Sequence, residues 1–196
     1  VPDLIARVAH SSPAAYRTYR RLRNLPYVLR GQRLEASSAA VMYDGITVAD
    51  LPTGGNAYAG YVDGQWITVA QVEERFPGVP VLSLTTGTGV AMGIDCEPGN
   101  IGWNDDQSVA VDWAVEQIRA GQIPVVYISG SYVQSFTDKM TAAGQVRSTY
   151  RIFSTHWNGQ AHICGPDVCG LPQADATQWV SLQSRGYDIS EFASTL

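Results

Sequence analysis

The sequence predicts an α/β fold in one globular domain preceded by a basic helical arm. Three observations predict it: short β-rich runs alternate with helix-periodic stretches from Ala39 onward, the pattern turns to strands alone near the C-terminus, and charge changes sign near Ser37-Ser38. Such alternation is what parallel strands joined by crossover helices produce. Five β/α steps followed by three strands would close an irregular barrel, and an open doubly wound sheet accommodates the same alternation. At 196 residues and 45% hydrophobic, the chain is long enough to bury a substantial core.

The arm is residues 1–38 and the body residues 39–196. Over residues 1–34, Arg7, Arg17, Arg20, Arg21, Arg23, Arg30 and Arg33 face Asp3 alone, giving +6 and leaving −11 for the remainder of a chain of net charge −5. A basic arm suits docking on its own acidic body, on a partner protein or on a virion component. Tyr16, Tyr19 and Leu22 give it an apolar stripe that Pro26 interrupts. Nucleic-acid binding would rest on arginines alone and ranks last.

In the body, Ala39 to Ile46 and Ala57 to Asp63 read as the first two strands. Thr68 caps a helix through Phe76, with Val69, Val72 and Phe76 at helical spacing and Pro77-Gly78 as its stop. Val79 to Thr85 and Ala91 to Glu97 follow as strands around the Thr86-Gly87-Thr88-Gly89 turn, which precedes a strand and so is no phosphate-binding loop. Asn104-Asp105-Asp106 opens the longest helix, which Gly121 ends. Ile123 to Ser129 is a strand, Tyr132 to Ala143 a helix and Tyr150 to His156 a sixth strand, after which Ala176 to Val180 and Tyr187 to Ile189 are short strand-like pieces.

Several classes are excluded or weakly marked. No stretch approaches the roughly 20 apolar residues of a membrane helix, and the start lacks the basic-then-apolar order of a secretory signal. A chain opening on Val1 is expected of a processed, truncated or alternatively started protein. Cys164 and Cys169 bracket Gly165-Pro166-Asp167-Val168 and are a candidate disulfide, with reduced thiols as the alternative. His156, His162, Cys164 and Cys169 offer four zinc ligands in principle, but their spacing matches no common zinc pattern, so no metal and no cofactor is expected.

The chemistry concentrates in Gly93-Ile94-Asp95-Cys96-Glu97-Pro98-Gly99. Asp95 and Glu97 are two apart on a strand, so they share one face while Cys96 takes the other. Paired carboxylates repel unless one stays protonated, and a glycosidase uses that division between an acid of raised pKa and an ionised partner. Glu97 is therefore expected to hold a raised pKa and Asp95 to stay ionised. Asp44 ends the first strand and Asp188 occupies the last, which places four acids at strand ends.

That order, with Met42-Tyr43-Asp44, Ala59-Gly60-Tyr61-Val62-Asp63-Gly64, Asp95-Cys96-Glu97, Ala174-Asp175-Ala176-Thr177-Gln178-Trp179 and Tyr187-Asp188-Ile189, resembles family 25 glycoside hydrolases, the Chalaropsis-type lysozymes. It resembles more closely the glycoside-hydrolase-like domains of actinobacteria and their bacteriophages, over residues 41–192. The resemblance implies a TIM-like (β/α)₅β₃ barrel that cleaves the β-1,4 link after N-acetylmuramic acid in peptidoglycan. It also implies an extracellular, envelope or virion location. By position Glu97 matches the general acid, Asp95 the stabilising carboxylate, and Asp44 and Asp188 the supporting acids. Tyr61, Trp66, Tyr127, Trp157, Trp179 and Tyr187 lie at or near strand ends, and Tyr61, Tyr127, Trp157 and Trp179 are the expected sugar-stacking residues. The sixth strand, Ile152-Phe153-Ser154-Thr155-His156-Trp157, is poorer in aromatics than the lysozymes'. The first carries Tyr-Asp-Gly in place of Asp-x-Ser. A glycan-binding or structural module without turnover is therefore the second reading.

Overall fold

The structure, a computed structural model, describes residues 40–193 apart from Thr88 and Asp105. The expected arm, residues 1–38, lies outside the described residues. Eight strands, β1 (Ala40–Gly45), β2 (Ala57–Tyr61), β3 (Val81–Thr85), β4 (Gly93–Cys96), β5 (Val125–Ser129), β6 (Arg151–Thr155), β7 (Ala176–Leu182) and β8 (Tyr187–Phe192), close into a barrel in sequence order. The open-sheet alternative falls with that closure. β1 to β7 are parallel to their neighbours, and β8 runs antiparallel to both β7 and β1. Connection length decides this orientation: only residues 183–186 join β7 to β8, too few to cross the barrel, so the chain must turn back as a hairpin. Pairing on both sides carries β7 to Leu182 and β8 to Phe192, further than the expected Val180 and Ile189.

Among the described residues the helices are fewer than five β/α steps require. α1 (Val69–Arg75) joins β2 to β3, α2 (Ser108–Arg119) joins β4 to β5, and α3 (Val133–Ala142) joins β5 to β6. The β1–β2 connection holds only a 3₁₀ turn, Val48–Asp50, because Pro52, Gly54 and Gly55 oppose a helix there. Residues 86–92 between β3 and β4 are too few to hold a helix and its return. The β6–β7 connection carries a single turn, α4 (Pro166–Cys169).

Helix ends follow local chemistry. At α1 the Thr68 hydroxyl accepts the Gln71 amide at 3.3 Å while the Gln71 side chain accepts the Thr68 amide at 2.9 Å, a reciprocal cap. Asn104 and Asp106 act upstream of α2, accepting the amides of Val109 and Ser108 at 3.2 and 3.1 Å, so the helix opens at Ser108. Side-chain alternation sorts the core into two layers. Met42, Leu82, Leu84, Val125, Tyr127 and Phe153 fill the barrel, whereas Ile94, Cys96, Val126, Ile128 and Ile152 meet Trp113, Phe136 and Met140 of α2 and α3 outside it.

Candidate functional site

Seven parallel strands end at one mouth, and β8 begins there. Asp44 on β1, Asp95 on β4, Glu97 one residue past β4, and Asp188 on β8 all line the same pocket, with Tyr61, Trp66, Tyr127 and Tyr187 around them. The four strand-end acids thus open on one pocket, and Cys96 between two of them packs into the outer layer. Asp95, Glu97 and Asp188 are buried, at 3, 5 and 4% exposure.

Asp44 and Asp188 are direct cross-strand partners in the β1–β8 ladder. Like charges opposite one another destabilise a sheet unless something separates them. Gln178 on β7 does so: its amide nitrogen donates to Asp188 Oδ2 at 2.9 Å and lies 3.4 Å from Asp44 Oδ2. Its carbonyl oxygen accepts the Tyr127 hydroxyl at 2.9 Å and the Trp157 indole N–H at 2.6 Å. One buried amide thus turns an acceptor toward two aromatic donors and a donor toward two acids. The close approach of β1 and β8 also explains Gly45 in Tyr43-Asp44-Gly45, since a Cβ there would meet the Gly186 carbonyl at 2.5 Å.

Across the mouth, the Tyr61 hydroxyl donates to Asp95 Oδ2 at 2.8 Å. Burial, then the charges of Asp95 and Asp44, the hydrogen bond and Glu97 push the Tyr61 pKa well above its ordinary value, so the phenol is a fixed donor. Behind the acids, burial and then the Asp95 and Glu97 carboxylates raise the Cys96 pKa, which removes it as a nucleophile. Asp63, from the Ala59 to Gly64 motif, pins the loop after β2 to the loop after β3. It accepts the Thr85 hydroxyl, and it accepts the Thr86 amide and hydroxyl at 2.7 and 2.9 Å.

Three expectations are corrected. Trp179 does not reach the mouth: a register shift between Gln178 and Val180 makes it an extra residue on β7, and it packs outside with Val180 and Ile189. Trp157 reaches the site through Gln178 and does not line the pocket, whereas Tyr61 and Tyr127 do line it. Cys164 and Cys169 form no disulfide; Cys164 Sγ faces His156 Nδ1 at 3.4 Å and His162 Nε2 at 3.3 Å instead. Burial, followed by the contact with Cys169, pushes the Cys164 thiol up to about 12. Gln178 is the residue that sequence reasoning passed over. Its signal was present, because a polar residue two positions on from Ala176 shares that residue's inward face and needs buried partners there.

Comparison of the chain with protein-family models, with curated proteins and with solved structures gave no match in any of the three. No helix among the described residues is long and apolar enough to cross a membrane.

Proposed function

We propose that this chain is a peptidoglycan-directed glycoside hydrolase of muramidase type, built on an irregular TIM-like barrel. The observation that carries the reading is the convergence of Asp44, Asp95, Glu97 and Asp188 on one mouth rimmed by Tyr61, Trp66 and Tyr187. Glu97 is assigned the proton donor to the leaving oxygen and Asp95 the carboxylate that meets developing positive charge, with Tyr61 orienting it. Asp44 and Asp188, spanned by Gln178, keep the field at the mouth negative. Sugar rings are placed across the aromatic rim, with the scissile region facing the acids. The glycan is bacterial cell wall, and the setting is the envelope or a virion.

The test is digestion of purified peptidoglycan assayed for new reducing ends, with Glu97→Gln alongside the parent. The amide keeps the shape but delivers no proton, so turnover should fall by about 10²- to 10⁴-fold while pelleting with insoluble peptidoglycan persists. A Glu97→Gln variant as active as its parent removes the assignment. A parent that pellets with the glycan and releases no ends at any pH replaces the hydrolase with a glycan-binding module.

A further inference from the structure

The β6–β7 connection, residues 156–175, is long for a barrel crossover and its regular structure is the single turn of α4. Connections beyond about 12–15 residues without elements of their own are uncommon in compact domains unless something holds them. The loop is held at the barrel end by Gly159 N–H donating to Trp179 O at 3.1 Å and Cys164 N–H donating to Thr177 Oγ1 at 2.8 Å. Around these anchors four side chains gather: His156, His162, Cys164 and Cys169 present their ligand atoms within 4.8 Å of one another.

We propose that these four residues form a structural zinc site that staples the β6–β7 loop to the barrel. A tetrahedral site with Zn–N of about 2.0–2.1 Å and Zn–S of about 2.3 Å needs ligand separations of about 3.3 Å between nitrogens and about 3.6 Å between nitrogen and sulfur. The chain supplies 3.1 Å between His156 Nδ1 and His162 Nε2, and 3.4 and 3.3 Å from those nitrogens to Cys164 Sγ. The histidine tautomer is prepared: His162 Nδ1 lies 2.7 Å from the Gln160 carbonyl, which can only accept, so Nδ1 carries the proton and the Nε2 lone pair faces the centre. Binding Zn²⁺ releases the two thiol protons to solvent, and two thiolates with two neutral imidazoles make a site of zero net charge. Neutrality suits its burial, with Cys164 at 0% and His162 at 9% exposure. Four protein ligands leave no open position, which makes the site structural and not hydrolytic. His156 is followed by Trp157, whose indole N–H holds Gln178, so the staple also supports the acidic mouth. The inference is independent of the hydrolase reading.

The test uses the full chain, purified with reductant, stripped with EDTA and titrated with ZnCl₂ or CoCl₂. Expected are one zinc per chain by elemental analysis and the intense visible bands of tetrahedral thiolate-bound Co²⁺. A melting temperature that rises with zinc and falls with EDTA is also expected. Cys169→Ser, at a half-buried position on a one-turn helix, should keep the fold by circular dichroism and lose about a hundredfold or more in zinc affinity. Asp188→Asn should leave the stoichiometry unchanged. Failure of the parent to take up zinc under reducing conditions, a weak octahedral cobalt spectrum, or zinc retained in Cys169→Ser and lost in Asp188→Asn would each overturn the proposal.

Discussion

Gln178→Glu changes little in shape and much in electrostatics. The new side chain still offers an oxygen to Tyr127 and Trp157, but where the amide nitrogen donated to Asp188 at 2.9 Å it now presents a second carboxylate oxygen. Two ionised carboxylates about 3 Å apart repel by roughly 5 kcal/mol at an effective dielectric of about 20. The folded protein has a lower-energy route, which is to protonate the introduced glutamate and restore a donor toward Asp188. Holding that proton at about pH 7 against an unfolded pKa of about 4.3 costs about 3.7 kcal/mol, at 1.36 kcal/mol per unit. The folded pKa is raised, so the penalty is absent below about pH 4.3, grows as pH rises, and saturates above the folded value. Urea unfolding of parent and variant, followed by tryptophan fluorescence at about pH 7 and about pH 5, should give a destabilisation of about 3–4 kcal/mol at the first and about 1 at the second. A destabilisation equal at the two pH values would refute the shared carboxylate cluster around Gln178.

Two further substitutions probe the scaffold around the mouth. Burial raises the Asp63 pKa, but the Thr85 hydroxyl, the Thr86 amide and the Thr86 hydroxyl outweigh it and hold the carboxyl below its usual range. Asp63→Asn should therefore cost about 1 kcal/mol near neutrality, reduced by solvent screening, and the gap to the parent should close as pH falls through the lowered pKa. Thermal melts at neutral and acid pH check this, and a gap independent of pH would show that the charge is irrelevant there. Gly60→Ala should cost about 1–3 kcal/mol, because the added Cβ would lie 2.9 Å from Val69 N and 3.0 Å from Val69 Cα, backbone that moves only if α1 moves. A variant melting with its parent would mean that α1 is not seated on β2 as described.

The acids of the site were readable from the linear sequence because strand geometry is local. Asp95 and Glu97 share a face whatever the fold, since side chains alternate along a strand, and Cys96 must then go the other way. Helix ends were readable to within a few residues for the same reason: Thr68 and Gln71 cap each other across a single turn. Where the direction of a side chain depended on ladder register, local reading failed. A bulge at Trp179 turned the expected stacking residue outward and left Gln178, unremarked, buried and bonded to Asp188 of the mouth.

By itself the sequence determined the β/α alternation, the strand-end carboxylates and their common face, all of which follow from backbone periodicity over a few residues. Barrel closure, the antiparallel seating of β8, the Asp44–Gln178–Asp188 bridge and the gathering of His156, His162, Cys164 and Cys169 were decided only in three dimensions. Each of these needs segments far apart in the chain, or a long loop folded back on itself, to meet at defined distances. Such meetings are set by packing and ladder register, which no local spacing encodes.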